Sequence, residues 1–153
     1  MKQHILETQM ALSLKITEVF PFFCDTANLE RITPPELRFQ ITTPQPVEIN
    51  LGTVVDYSLQ LYAIRFRWQS EITVWRPPNE FVDEQIQGPY QLWIHRHEFY
   101  EENGTTVIKD TVRYQLPLWP LGEVFYPLIR LQLRRIFKYR QQATRDTLLG
   151  RGL

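Results

Sequence analysis

An Asn103-Gly104 pair stands between two long stretches of alternating apolar and polar residues, Gln91 to Glu101 and Thr105 to Leu116. Both central positions of a two-residue primed turn need positive φ, and Asn-Gly meets that need well, so the segment is expected to fold back as one antiparallel hairpin. The turn also sets the register. It places His97 opposite Asp110, His95 opposite Val112, Trp93 opposite Tyr114 and Phe99 opposite Ile108, and alternation across a strand puts all eight on one face. The other face carries Ile94, Arg96, Glu98 and Tyr100 opposite Arg113, Thr111, Lys109 and Val107, where Glu98 and Lys109 form a charge pair suited to water. Titratable groups therefore share the inward face with Trp, Phe and Ile, the make-up of a pocket wall. A three- or five-residue loop would undo the direct His97 to Asp110 pairing.

The remaining segments supply a sheet and its cover. His4 to Leu14 alternates loosely and leads into a short helix, Ile16 to Phe23, then a second to Ile32 that Thr26 can cap. Pro34-Pro35 stops it, since the ring removes an amide donor and restricts the preceding residue. Strands follow at Leu37 to Thr43, Thr53 to Tyr62, Arg65 to Trp75 and Glu80 to Gln87, ahead of the hairpin, with breaks at Gly52, Ala63-Ile64, Pro77-Pro78 and Gly88-Pro89. In the third of these Phe66, Trp68, Ser70, Ile72 and Val74 share a face against Arg65, Arg67, Gln69, Glu71 and Thr73. A one-sided sheet needs a covering layer. From Pro127 to Leu149, Leu128, Ile129, Leu133, Ile136, Phe137, Ala143 and Leu148 recur at helical spacing, with Arg130, Arg134, Lys138 and Arg145 on another side. Pro127 suits a first helical turn, so Trp119 to Tyr126 is read as an irregular lead-in. The Arg-rich side is a solvated face or, since acidic residues are nearly absent after Glu123, a surface for a membrane or a partner.

Composition bounds the function. A chain of 153 residues with 43% hydrophobic content is read as one domain over 1–153, able to bury roughly two thirds of its unfolded surface. Lys+Arg and Asp+Glu are 17 each, so no net field draws the protein to nucleic acid. One cysteine, Cys24, excludes an internal disulfide framework and fits a reducing compartment; flanked by Phe22, Phe23 and Asp25, it is read as a buried structural thiol. No run approaches the roughly 18 apolar residues of a membrane span, nor does the N-terminus carry a signal-like apolar core, so the expected location is cytoplasmic.

The order strand, two short helices, six strands and a long C-terminal helix resembles the helix-grip fold of the START, Bet v 1 and polyketide-cyclase (SRPBCC) superfamily. Phe22 to Pro34 is similar to the opening of bacterial members. Phe81-Val-Asp-Glu-Gln-Ile-Gln-Gly-Pro-Tyr90, Trp93-Ile-His-Arg-His-Glu-Phe99 and Gly104 to Pro117 resemble one bacterial branch. The resemblance implies an α+β domain whose curved seven-stranded antiparallel sheet and terminal helix enclose a cavity for a small hydrophobic or aromatic molecule. It names no molecule, because carriers, receptors and cyclases share this scaffold.

The candidate cavity residues are Tyr57, Phe66, Trp68, Trp93, His95, His97, Phe99, Asp110 and Tyr114, with Leu59, Leu61, Ile72 and Ile108 inward and Asp83 and Gln85 as neighbours. Mostly apolar walls with a few convergent polar groups describe a ligand site. Asp110 fixing the His97 tautomer, with Tyr114 completing the network, is equally a structural arrangement. As an enzyme of the cyclase or dehydratase kind, the chain would use His97 as base and Tyr114 as acid. His95 and His97 project the same way and invite a metal with Asp110 or Glu101 as third ligand. The His-x-His spacing to Gly88, Glu101 and Gly104 departs from the cupin pattern at both ends, so neither a metal nor another cofactor is expected.

Overall fold

The computed structural model describes residues 1–150. Strand β1 (His4–Leu12) leads into helices α1 (Ile16–Cys24) and α2 (Thr26–Arg31). Then come β2 (Gln40–Ile41), β3 (Val54–Leu61), β4 (Ile64–Arg76), β5 (Glu80–Gln87), β6 (Leu92–Glu102), β7 (Thr105–Gln115) and helix α3 (Tyr126–Leu148). The strands form one seven-stranded sheet in the order β1-β7-β6-β5-β4-β3-β2, antiparallel at every step. Curved and covered by α3, it is a helix-grip fold.

The hairpin forms as its turn dictates. Asn103 and Gly104 take φ of 53° and 76°, and His97 pairs with Asp110, His95 with Val112, Trp93 with Tyr114 and Phe99 with Ile108. Alternation is not preserved everywhere. Between Ile72 and Val74 the β4 to β5 register shifts by one residue, and a bulge of this kind reverses which face the following side chains occupy. Trp75 rather than Val74 therefore meets the interior, its ring 5.6 Å from Phe20 and 6.0 Å from Phe81.

Two local expectations are corrected. Asp25, not Thr26, caps α2: its Oδ1 accepts from the Ala27 amide at 3.0 Å, while the Thr26 hydroxyl donates to Gln45 Oε1 at 3.0 Å. The strand expected over Leu37 to Thr43 shrinks to Gln40–Ile41, because Pro35–Leu37 forms a 3-10 turn and Arg38 is left-handed at φ 46°. Likewise Leu121–Phe125 is a 3-10 turn ahead of α3, with Pro127 in that helix's first turn.

Two apolar clusters hold sheet and helices together. In one, Leu133 and Phe137 of α3 pack with Leu6, Leu59, Trp68, Trp93, Val112 and Tyr114. In the other, Val19 and Phe20 of α1 pack with Met10, Leu12, Ile72, Phe81, Phe99 and Ile108. Helix α3 meets the sheet with Leu133, Phe137 and Thr144 buried, while Arg130, Arg134 and Lys138 are exposed. Leu128, expected inward, is 49% exposed, and its carbonyl accepts from the Tyr62 hydroxyl at 3.2 Å. No described helix is long and apolar enough to cross a membrane.

Phe99 is 1% exposed and lies 5.1 Å from Phe20, 5.5 Å from Phe23 and 6.0 Å from Phe81 between ring centres. Phe99→Ala should therefore cost ~3–5 kcal/mol of stability in urea unfolding.

Candidate functional site

Between the two clusters α3, the short helices and the sheet leave a cavity of about 170 Å³. Its walls are mainly apolar: Tyr57 and Leu59 of β3, Trp68 of β4, Trp93 of β6, Ile136 and Phe137 of α3. Trp68 meets Trp93 edge to face at 5.3 Å and stacks on Tyr57 at 5.7 Å, so the wall is built of rings that hold one another in place. Polar groups converge in one region, where Asp83, His95, His97 and Arg140 all line the space.

Strand register brings these groups together. Asp83 of β5 lies opposite His95, and Phe81 opposite His97, so both inward residues of β5 face the His-bearing side of β6. Phe81 stacks on the His97 ring at 4.1 Å, His97 lies 3.7 Å from His95, and Phe137 meets His95 edge-on at 5.4 Å. The imidazoles are thus clamped between a strand aromatic and a helix aromatic. His97 Nε2 donates to Asp83 Oδ2 at 2.7 Å and His95 Nε2 donates to Asp110 Oδ1 at 2.7 Å. Secondary approaches close the quartet: His95 Nδ1 is 3.8 Å from Asp83 Oδ2, and His97 Nδ1 is 3.4 Å from Asp110 Oδ1. The latter contact is ionic rather than a directed hydrogen bond, because the buried Nδ1 has no hydrogen-bond partner.

The electrostatics follow from burial and pairing. Burial alone would raise both carboxylates. For Asp83 the His97 hydrogen bond, the two imidazoles and the Arg140 charge outweigh it; for Asp110 the two histidines do; each titrates below its ordinary value. Burial likewise pushes His97 down, but Asp110 and Asp83 overcome it and its pKa is raised. His95 goes the other way, lowered by burial and by the neighbouring His97. The quartet therefore holds two carboxylates, with the imidazolium favoured on His97.

Arg140 was not expected here. It sits seven residues after Leu133, on the stripe that faces the sheet, and its guanidinium carbon lies 5.4 Å over the Phe137 ring. No carboxylate lies within ion-pair distance of it among the described residues. The spacing was legible, but only Arg130, Arg134, Lys138 and Arg145 are read from the sequence as the polar side of the helix, and Arg140 is assigned to neither side.

Of the expected residues, Tyr57, Trp68, Trp93, His95 and His97 lie on the cavity wall, whereas Phe66, Phe99, Asp110 and Tyr114 do not. Phe66 lies nearer the β3 to β4 turn and is only half-buried. Phe99 belongs to the α1 cluster. Asp110 stands behind the histidines, and its expected partnership is altered, since His95 rather than His97 makes its hydrogen bond. Tyr114 makes no hydrogen bond to the quartet among the described residues; its ring lies 5.4 Å from that of His4. His4 in turn donates to Glu123 Oε2 at 2.8 Å and stacks on Tyr126 at 3.9 Å. Glu101 is remote from the histidines and caps α1, accepting from the Ile16 amide at 2.7 Å. The Cys24 thiol, half-buried, is pushed up to about 12 by burial, which leaves it unreactive at neutral pH.

No family model and no curated protein matches this chain. Solved structures do. A protein of Thermus thermophilus is similar over 98% of this chain and 100% of its own, with 14% identity and a TM-score of 0.73. A START superfamily protein from Mycobacterium smegmatis covers 96% of this chain and 98% of its own at 9% identity and a TM-score of 0.71. A Thalictrum norcoclaurine synthase, solved with a transition-state analogue, covers 99% and 98% at 11% identity and a TM-score of 0.68. At these identities the likeness establishes the fold, which is of the START and Bet v 1 type.

A pH consequence follows from Asp110. Its folded pKa is depressed, so its pairing contributes fully above the unfolded value of about 3.9 and is lost as pH falls from there through the folded value. Thermal melts from neutral to acid pH should show a steeper loss of stability in the native chain than in Asp110→Asn; parallel curves would mean that Asp110 contributes nothing to the acid limb.

Proposed function

With a START and Bet v 1-type fold as the premise, we propose that this protein binds a small hydrophobic or aromatic molecule between the sheet and α3 and carries or senses it. The observation that supports this most directly is a cavity of about 170 Å³ walled by Tyr57, Trp68, Trp93, Ile136 and Phe137. A dry cavity of roughly 150 Å³ holds benzene, so the fitting occupant is about one substituted ring. A sterol-sized molecule would require the walls to part. Arg140, beside Asp83 and without a carboxylate partner, favours an anionic or strongly polar substituent pointing at the histidine end, while the rings take the apolar body.

Two further readings each have an observation behind them. The buried His97 to Asp83 and His95 to Asp110 pairs stand where they can move protons on a bound molecule, which favours a cyclase- or dehydratase-type activity as the alternative; Tyr114 has no part in it. Incubation of a retained molecule with the native chain and with His97→Gln, followed by mass spectrometry, separates carriage from turnover. Contact with an anionic membrane surface is favoured by exposed Leu121, Val124, Phe125 and Leu128 next to exposed Arg130 and Arg134. Sedimentation with phosphatidylserine vesicles but not with neutral ones should then depend on Leu121 and Phe125.

The binding reading is tested with benzoate and phenylacetate against benzyl alcohol, followed by quenching of tryptophan fluorescence. Saturable quenching is expected, and Ile136→Trp should abolish it by filling the space. Arg140→Gln should weaken the carboxylates about tenfold or more, the value of a hydrogen bond to a charged group, and leave benzyl alcohol unchanged. Equal affinities in native and Ile136→Trp protein would place the binding elsewhere.

A further inference from the structure

The four polar residues of the quartet are arranged in two layers. Candidate ligand atoms of Asp83, His95 and His97 all lie within 4.8 Å of one another, and all three side chains line the cavity. Asp110 lies behind them, with Oδ1 2.7 Å from His95 Nε2 and 3.4 Å from His97 Nδ1. One carboxylate thus addresses the outer nitrogen of both imidazoles, leaving His95 Nδ1 and His97 Nε2 turned toward Asp83. Histidines that bind a metal are commonly held this way, the second ring nitrogen donating to a carboxylate that fixes tautomer and orientation.

A second observation points to an absent occupant. His97 is 5% exposed, yet its Nδ1 has no hydrogen-bond partner; the Nε2 bond to Asp83 holds the ring, and Asp110 Oδ1 stays 3.4 Å from Nδ1. A buried polar atom left unpaired costs free energy. If a cation took the Nε2 lone pair and the Asp83 oxygen, the Nε2 bond would no longer fix the ring, the remaining ring proton would sit on Nδ1, and a small rotation toward Asp110 would give the orphaned atom its partner. Two carboxylates enclosed by aromatic rings also call for positive charge.

We propose that Asp83, His95 and His97 form a mononuclear site for a divalent first-row transition metal of the zinc class, with Asp110 as the positioning carboxylate. Two imidazoles and one carboxylate suit zinc, cobalt or ferrous iron rather than calcium or magnesium, which take oxygen ligands. Ligand atoms about 2.0–2.2 Å from a tetrahedral zinc stand roughly 3.3 Å apart. The separations from Asp83 Oδ2, 2.7 Å to His97 Nε2 and 3.8 Å to His95 Nδ1, lie on either side of that value, so small side-chain rotations suffice. The three donors sit on two adjacent strands, Asp83 on β5 and both histidines on β6, and Asp110 stands on the next, β7, which limits reorganisation on binding. Three protein ligands leave a fourth position directed at the cavity, for water or for a donor atom of a bound molecule. Only the bound molecule rests on the proposed function; the metal does not.

The test is titration of chelator-treated full-length protein with zinc by calorimetry and with cobalt by visible absorption, at neutral pH. One equivalent should bind and give the absorption of a low-coordinate cobalt centre. Asp110→Asn should weaken binding by about 10–100-fold, and Asp83→Asn by more, with far-UV circular dichroism unchanged in both. His4→Gln, whose ring pairs with Glu123 away from the site, should bind as the native chain does. If Asp83→Asn fails to fold, His97→Gln replaces it with the same expectation. No binding, binding of several equivalents, or native affinity in the folded ligand variant would overturn the assignment. Tryptophan quenching reads the organic ligand separately, so failure of either proposal is seen on its own.

Discussion

Everything at this site depends on the register between β6 and β7. Side chains on a strand alternate with a period of two, so a one-residue slip would turn His95, His97, Trp93 and Phe99 to solvent and bring Arg96 and Glu98 to the interior. The slip is opposed from both sides. The turn fits only where Asn103 and Gly104 fall at its two positive-φ positions, and Phe99, Ile108 and Val112 are at most 1% exposed when it does. Moving three such side chains into water would cost roughly 1.5–3 kcal/mol each. Pairing of β5 with β6 then carries the same face one strand further, and Asp83 arrives opposite His95.

Within that frame the quartet is a poor device for stability. Taking carboxylates and imidazoles out of water costs several kcal/mol per ion, and buried ion pairs often do no better than apolar residues of the same volume. Aromatic residues would fill the space between Phe81 and Phe137 without that cost. The arrangement gains its value where polar chemistry is wanted beside an apolar wall. Two carboxylates hold two imidazoles in opposite protonation preferences, raised at His97 and lowered at His95, and rings on either side restrict their rotation.

Much of the fold was legible because hairpins and amphipathic helices are local. The Asn103-Gly104 turn, the alternation in β6 and β7, and the Leu133, Ile136 and Phe137 stripe of α3 are each written within a few tens of residues. The site was only half legible, for two physical reasons. The bulge after Ile72 reverses the facing of β4, and no local signal in Ile72-Thr-Val-Trp75 announces it. The connection from Gln87 to Leu92 has no two-residue turn to set register, so Asp83 could be named a neighbour but not a partner. Tyr114 differs for another reason: it occupies the correct face, yet it lies one inward-facing step along β7 beyond Val112, the partner of His95, opposite His4 at the start of β1, and it packs beside His4 instead. Facing is a property of alternation, whereas contact also depends on how far along the strand the cavity extends.

Arg140 shows how helix and sheet make one site. Four residues before the buried Thr144 and three after Phe137, it lies on the inner stripe at the level where His95, His97 and Asp83 face the cavity. Its flexible stem can follow an apolar wall while the guanidinium stays near Asp83, and the Phe137 ring beneath it limits where that charge can go. A carboxylate-bearing molecule would find the arginine on one side and the histidines on the other; a divalent cation would be held by the strand residues alone and be repelled by the arginine if the two approached closely. The occupants are therefore coupled through charge. A metal on Asp83 would add positive charge beside the unpaired Arg140 guanidinium, so a carboxylate ligand would be held more strongly with the cation present than without it.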